Sequence, residues 1–483
     1  MKTILPKKLK TIFVCILLMQ VAAQAQIAYQ PITNKNLTIG SYGRVGVDWS
    51  FVNGGSIGRR LNLNNMGSIG GRMEEQDYLE IAPQLQFKPF KDDDATRINV
   101  QMRFSLYNRS LSLFGNSSTT SLGGLTLAIP EIFAEARNIN GSGVNVWVGS
   151  RLYRGPDVHI ADHFYFNDHS GQGFGVEFKN SRFSSIFVSS TDTSSTLPPY
   201  FYLNIATGTP SLALRQRLVF NFEQDFLLAE NQLLTLLGEF HRMGNKDSEN
   251  EVNPLIVEND SIYLNYPTDY GYVLGARLST DIGSKKSGQY NKLAVRFGAR
   301  LANGGDGGMS KTFYTYGAPN LDELNFKGAY SLSVVDEIFL NLSEKNALNC
   351  YAIFTKSKGA ADSDNKAMTY LAQEVYNRKH DLTLGARNTH FFADKFQLLS
   401  ELHYSVRKDG TDDTYGMTKL SLSPTLVPTG ERSAWARPQL RFVFSLAHYN
   451  EAAKNGMYSP YLSYTGPKDW GYYFGVKTEW WIW

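Results

Sequence analysis

The chain has 483 residues, of which 48 are Lys or Arg and 45 are Asp or Glu, and it is rich in Tyr, Phe and Gly. This nearly neutral balance argues against nucleic acid as a partner, because binding to phosphates needs a clear excess of basic residues. Beyond the N-terminus no run of about 18 apolar residues occurs, so the sequence offers no candidate for a membrane-spanning helix. An aromatic-rich chain of this kind is typical of a secreted β protein or of an outer-membrane barrel.

Residues Met1–Ala25 are predicted to be a secretory signal peptide. Four Lys precede the apolar stretch Thr11–Ala22, and Ala23-Gln24-Ala25 supplies a small-residue cleavage site. Cleavage would remove those four Lys from the 48 basic residues and none of the 45 acidic ones, which leaves a net charge of −1. Cys350 would then be the single cysteine, so we expect no intrachain disulfide. We expect residues 26–483 to form one domain without a cofactor.

Segments in which apolar and polar residues alternate begin after residue 40 and recur to the end of the chain. In one of them Ile98, Val100 and Met102 alternate with Asn99 and Gln101. This alternation runs for about ten residues, which is longer than the strands of most soluble sheets and matches a tilted membrane-spanning strand. One face of each predicted strand is therefore polar, and the other carries the Trp, Phe and Leu that lipid contact requires.

The connections between these strands alternate between short and long. Short links fall near residues 91–96 and 138–143, whereas residues 53–75 and 155–173 belong to long polar stretches. This asymmetry is typical of outer-membrane barrels, with short periplasmic turns and long outer loops, and about nine long and eight short connections give about 18 strands. We therefore predict an all-β fold, an antiparallel transmembrane β-barrel of about 18 strands around an aqueous lumen, in contact with outer-membrane lipid.

The stretch Arg154–Gly171 has no periodic pattern and is dense in Asp, His and aromatic residues. We predict that it folds inward, sets the narrowest point of the channel and holds a ligand. Its three His residues admit two interpretations, a metal site or hydrogen bonding within a polar loop. Because no metal-ligand spacing is present, the second is favoured and no metal is expected.

Four aromatic residues occupy polar-face positions, namely Tyr42, Tyr78, Trp435 and Trp481. A ring that faces water leaves its apolar faces wet unless a ligand or a loop covers them. Two interpretations follow: the rings pack beneath an inward-folded loop, or they form a stacking track for sugars. A pyranose suits such a track, because its C–H face lies on a ring while its hydroxyls need hydrogen-bond partners.

Several motifs carry a family resemblance: Asn145-Val-Trp-Val-Gly149, Tyr153-Arg154, Asp157-Val158-His159, Asp162, Phe164-Tyr165, Ser170-Gly171, Tyr42-Gly43-Arg44, Tyr78-Leu79-Glu80, Trp435-Ala436-Arg437-Pro438 and Trp481. On these residues the chain resembles the maltoporin family, which consists of trimeric sugar-selective channels of the bacterial outer membrane. The resemblance implies a homotrimer and an aromatic slide formed by Tyr42, Tyr78, Trp435 and Trp481. It also implies a polar track of Arg44, Glu80, Arg154, Asp157 and Asp162, with Tyr165 at the constriction and Arg72 as an additional track candidate.

The sequence also departs from the family pattern. Pro130 occupies the position of a track arginine, and the loop after Asn108 lacks a Trp that the family lends to a neighbouring subunit. We therefore expect passive diffusion of maltose and maltodextrins or of another oligosaccharide. A general non-selective porin is the alternative. An outer-membrane barrel hydrolase is a further one, although the chain has no G-x-S-x-G motif, so no enzyme activity is expected.

Overall fold

The structure is a computed structural model that describes residues 36–48, 61–75, 77–88, 95–108, 125–166, 168–188, 217–245, 255–257, 260–262, 267–284, 287–304, 315–362, 367–370 and 373–482. The predicted signal peptide Met1–Ala25 lies outside these ranges. Within them, no helix is both long and apolar enough to cross a membrane.

Eighteen antiparallel strands, named β1 to β18 in chain order, form one closed sheet. Their bounds are Leu37–Asp48, Tyr78–Phe87, Arg97–Asn108, Leu125–Arg137, Val144–Arg151, Gly171–Phe178, Ser181–Val188, Arg217–Ala229, Gln232–Met243, Asp269–Asp281, Tyr290–Arg300, Tyr330–Ser343, Asn346–Lys358, Arg378–Ala393, Phe396–Asp409, Tyr415–Leu426, Gln439–Tyr449 and Trp470–Ile482. The barrel closes where β1 pairs with β18, with Tyr42 opposite Trp481. The predicted antiparallel barrel of about 18 strands is confirmed.

The two faces of the barrel wall have the polarity of a membrane protein. Glu337 and Lys419 point inward and are buried, with 1% and 0% of their surface exposed, whereas the outward-facing Leu274 and Leu402 are 59% and 54% exposed. A water-soluble protein would bury the leucines and expose the charges. Outward apolar side chains and an inward polar surface are what a bilayer requires of a barrel.

The short and long connections lie at opposite ends of the barrel, as predicted. Several turns contain two residues, such as those between β8 and β9 and between β12 and β13. The expected strand position of Trp435 was wrong: β16 continues to Leu426, and the connection to β17 occupies residues 427–438. Trp435 therefore lies in this connection and not on a strand, because Pro438 cannot donate to a ladder and β17 begins only at Gln439.

Two segments enter the barrel from its outer end. One, here called the inserted segment, is Leu61–Glu75, and the other, here called the constriction loop, is Arg154–Ser170. Leu61 and Ile69 of the first and Ile160 of the second are buried in one apolar cluster with inward-facing residues of the wall. Packed side chains thus occupy part of the lumen at this level, which corrects the expectation that the barrel encloses only water.

Side chains of the wall satisfy the backbone of the inserted segment. Tyr449 donates its hydroxyl to the Leu61 carbonyl over 2.6 Å, and Lys477 Nζ donates to the Glu75 carbonyl over 2.6 Å. Gly71 approaches the wall closely, because a Cβ at this position would lie 2.6 Å from His403 Nε2. A buried loop needs such partners for its carbonyl groups, so these contacts fix where the segment lies.

Candidate functional site

The constriction loop is a compact hairpin. Arg154 and Asp168 form a β-bridge near its ends, and their side chains form an ion pair with a distance of 3.0 Å between Nε and Oδ2. Inside this bridge Asp157–Val158 pairs with His163–Phe164. Asp162 closes the intervening turn with a φ of 49°, a left-handed conformation that Asp adopts more readily than most residues. The hairpin gives the loop a fixed shape without a regular sequence pattern.

The tip and the end of the loop are fastened to distant parts of the wall. The buried Tyr165 donates its hydroxyl to the Glu337 carboxylate on β12. His169 Nε2 lies 2.9 Å from Glu239 Oε1 on β9. Because the loop leaves the wall at β5 and returns at β6, these contacts carry it across the lumen. The predicted inward fold of this loop is confirmed.

A row of aromatic rings runs along the inside of the wall and includes one ring from the loop. In order, with centroid separations between 5.5 and 5.8 Å where rings are in contact, this aromatic row contains Tyr78, Tyr42, Trp481, His159, Trp435, Phe339 and Tyr290. Tyr42 and Trp481 are neighbours through the register of β1 and β18. All of these side chains except Phe339 are partly exposed. The row thus presents successive apolar ring faces to the lumen.

His159 lies in the middle of the aromatic row and links its two halves. Its ring centroid lies 5.5 Å from that of Trp481 and 5.7 Å from that of Trp435, both edge-on. Burial and the charge of Arg72 hold the pKa of His159 well below its usual value. Its Nε2 lies 3.4 Å from an Arg437 nitrogen that can only donate, so a neutral imidazole with Nε2 as acceptor fits.

Charged groups surround the middle of the row. Arg72 of the inserted segment donates to the Tyr42 hydroxyl over 3.1 Å and forms a 3.1 Å ion pair with Glu75. Arg44 on β1 also pairs with Glu75, at 2.8 Å. Tyr42 in turn donates to Glu479 over 3.3 Å. Arg44 and Arg72 share the Glu75 carboxylate, so cations and carboxylates are interleaved around the Tyr42 hydroxyl and spare donors remain.

A second part of this charge cluster lies beside Trp481. Arg437 donates to Glu479 over 2.7 Å, and its guanidinium carbon lies 4.1 Å from the centroid of the Trp481 ring. Arg441 also donates to Glu479. A cavity of about 20 Å³ is lined by Arg441 and Glu479 together with Arg72 and His159. This volume holds about one water molecule.

The predicted site residues fall into two groups. Tyr42, Arg44, Tyr78, Asp162, Trp435 and Trp481 meet around Arg72 and His159, with Arg44 5.2 Å from the Tyr78 ring centroid and Asp162 3.7 Å from Arg72. The remaining four have other contacts. Glu80 pairs with Arg103 on β3 at 2.6 Å, Arg154 pairs within its own loop, Tyr165 is held by Glu337, and Asp157 is partly buried in the hairpin.

Several residues of the site were missed from the sequence. Glu75, Glu479 and Arg441 carry no motif that separates them from other charges on inward-facing positions. Arg437 lies in the Trp435-Ala436-Arg437-Pro438 motif but was assigned no role. For His159, hydrogen bonding within the loop was favoured over a metal site, and no place in the aromatic row was predicted. A usable signal existed for the inserted segment, because apolar residues such as Leu61 and Ile69 are unexpected in a Gly-rich outer loop.

Asp157 provides a prediction about pH. Burial, and secondly the charge of Asp162, raises the pKa of Asp157 to about 6. The neutral Asp157 carboxyl therefore contributes to the stability of the folded protein. This contribution is complete below about pH 4 and is lost as the pH rises through about 6. We expect the cation selectivity of the current to rise over the same window, because a negative charge then appears beside the constriction.

The measurement is the reversal potential in a salt gradient between pH 4 and 8. Asp157→Asn should abolish the step near pH 6, and Asp162→Asn should move it to lower pH by removing a neighbouring negative charge. A step that persists unchanged in Asp157→Asn would contradict the assignment.

Comparison with known proteins matches residues 37–481 to the family described as LamB porin. Among solved structures, the OmpF protein of Salmonella typhi in complex with daunomycin shares 12% identity at a TM-score of 0.39, covering 93% of this chain and all of that chain. Wzi, a carbohydrate-binding barrel of Escherichia coli involved in capsule assembly, shares 9% identity at a TM-score of 0.40, covering 91% and 83%. The family assignment does not depend on these distant likenesses. It rests on the match over nearly the whole chain, which agrees with the resemblance in the sequence motifs, and the chain belongs to the LamB porin family of outer-membrane channels.

Proposed function

We propose that this channel conducts sugars by passive diffusion, with maltose and maltodextrins as the first candidates and another oligosaccharide as the alternative. The observation that carries the proposal is the aromatic row, which places the partly exposed Tyr78, Tyr42, Trp481 and Trp435 in sequence beside paired charges. Ring faces in a polar lumen are costly unless something apolar covers them. The C–H face of a pyranose meets that need.

The charge cluster supplies the second half of sugar recognition. Arg72, Arg44 and Glu479 already hydrogen-bond the Tyr42 hydroxyl, so donors and acceptors converge where the hydroxyls of a stacked sugar would lie. Each charge has an alternative partner in the protein, and exchange with a sugar hydroxyl therefore costs little. Conduction requires that the sugar bind well enough to enter each position and weakly enough to move on to the next.

Within this proposal the predicted residues have different roles. Tyr42, Tyr78, Trp435 and Trp481 stack on the sugar, while Arg44, Asp162 and Arg72 exchange hydrogen bonds with it. Glu80, Arg154 and Asp157 act at the edges of the path. Tyr165 positions the constriction loop through Glu337. We extend the proposal, on the family resemblance, to a homotrimer, to a cleaved leader Met1–Ala25 and to residues 26–483 as the barrel domain.

The experiment that tests the function is sugar block of the ion current through the purified protein in a planar bilayer. Added maltodextrin should reduce the current reversibly, because an occupied lumen excludes ions. Open conductance without block by any oligosaccharide would favour the general porin instead.

A further inference from the structure

A group of basic residues lies on the outward face of the barrel, at the end that carries the long connections. This outer basic patch consists of Lys356, Lys358, Arg378, His380 and Lys408, at the outer ends of β13, β14 and β15. Together with Tyr330 of β12 these residues line a cavity of about 380 Å³. Their positions alternate with buried inward-facing residues, so they belong to the outside of the wall and take no part in the sugar path.

The strand register places these basic residues directly opposite one another, and in one of the pairs both partners carry a positive charge. Lys358 lies opposite Arg378, and Lys356 lies opposite His380. His380 in turn lies opposite Lys408. Like charges at directly opposite positions of an antiparallel pair destabilise it. An anion seated between the strands would remove this repulsion.

Within the described chain, no carboxylate neutralises the patch. None of its Lys and Arg side chains forms an ion pair there, and Arg378 Nε is buried without a hydrogen-bond partner. On the inward face of the same strands the charges are paired, with 2.9 Å between Arg407 and Asp409 and 3.4 Å between Arg407 and Asp381. Among the described residues of these strands, Arg407 on the lumen side is therefore paired, whereas the cations of the outer basic patch are not.

The level of the patch relative to the bilayer follows from its neighbours. The next outward-facing residues toward the middle of the same four strands are all apolar: Leu332, Phe354, Leu382 and Val406. Residues on the same face are about 7 Å apart along a strand. The cations therefore lie one step beyond the lipid-facing band, at the height of the headgroups of the outer leaflet.

We propose that the outer basic patch binds the phosphate groups of a phosphorylated glycolipid of the outer leaflet, with the acyl chains lying along the apolar band below. Several Lys and Arg side chains around one cavity suit phosphate, which accepts charge-assisted hydrogen bonds from both. Because the patch lies at the height of the headgroups, a membrane lipid is favoured over a dissolved anion. This inference is independent of the sugar track.

The test uses the full chain purified in detergent and fluorescent lipopolysaccharide as the probe. The triple variant K356Q/R378Q/K408Q should bind the probe about 100-fold more weakly than the unmodified chain, since each basic residue near a membrane surface contributes roughly a factor of five. The matched control is R242Q/K327Q/K468Q, which removes three exposed basic residues from the same end of the barrel but outside the patch. This control should bind almost as tightly as the unmodified chain.

Four further results decide the proposal. Dephosphorylated lipopolysaccharide should lose affinity for the unmodified chain and not for the triple variant, and conductance and sugar block should be unchanged in the triple variant because the lumen is untouched. Equal binding by the triple variant and the control would overturn the site. Complete displacement of the probe by millimolar inorganic pyrophosphate would overturn the lipid assignment and leave a site for dissolved phosphate.

Discussion

Replacing Lys419 with Met should raise the single-channel conductance, because it releases the inserted segment from the lumen. Lys419 lies on β16, is fully buried, and donates to the Asn62 side chain over 2.7 Å, to the Gly71 carbonyl over 3.2 Å and to Glu74. These three contacts bind most of the length of the segment to the wall.

The expected size of the effect comes from Glu74, which is 2% exposed and loses its only ion-pair partner among the described residues. Removing one partner of a buried ion pair costs about 3–5 kcal/mol. The strands themselves are held by continuous ladders, so we expect the segment to leave before the barrel unfolds. Conductance per channel reports the change, and limited proteolysis between residues 61 and 75 locates it.

A double-variant cycle separates the unpaired charge from a general loss of packing. Lys419→Met combined with Glu74→Gln removes both charges and should return conductance most of the way to its original value. Lys408→Met, on the outward face of the neighbouring strand, is the matched single control and should leave conductance unchanged. An unaltered conductance in Lys419→Met would show that the segment is held in place by other contacts.

Replacing Trp481 or Trp435 with Ala should weaken sugar block without closing the channel. Each ring contacts His159, and each loss removes one stacking face and loosens its neighbour in the row. We expect the loss of each ring to weaken the free energy of sugar binding by about 1–2 kcal/mol, which raises the half-blocking sugar concentration by roughly 5- to 30-fold. Ion conductance without sugar should change little, because neither ring carries charge.

The two Trp variants also distinguish a connected row from isolated rings. Because both contact the same imidazole, their effects in a double variant should differ from the sum of the single effects. Trp470→Ala is the matched control, since Trp470 is exposed and contacts His448 at the outer end of β18. Unchanged block in Trp435→Ala and Trp481→Ala would remove the stacking role.

The barrel was predictable because its signal is local. Lipid-facing and lumen-facing residues alternate within the sequence of each strand, and long and short connections alternate along the chain. The positions of Tyr42, Tyr78 and Trp481 on the lumen-facing side of their strands followed directly from this pattern. Trp435 reached the same site for a different reason, since the connection before β17 places its ring against Phe339 of β12.

The filling of the lumen was not predictable in the same way. Glu74 and Lys419 are 345 residues apart, and the other contacts that hold the inserted segment also join distant parts of the chain, so no periodic pattern in the sequence reveals them. The same holds for Tyr165 and Glu337, which join the constriction loop to β12. The sequence identified one of the two segments that enter the barrel, but its contacts depend on the closed wall.

The most direct measurement of the central claim is the half-blocking concentration of the unmodified channel for a series of maltodextrins of increasing length. Each additional sugar unit that stacks on the aromatic row should strengthen the free energy of binding by about 0.5–1.5 kcal/mol until the row is covered. A chain of about six units should therefore block the channel at a concentration at least tenfold lower than a monosaccharide does. Equal half-blocking concentrations for all lengths, or no block at all, would contradict it.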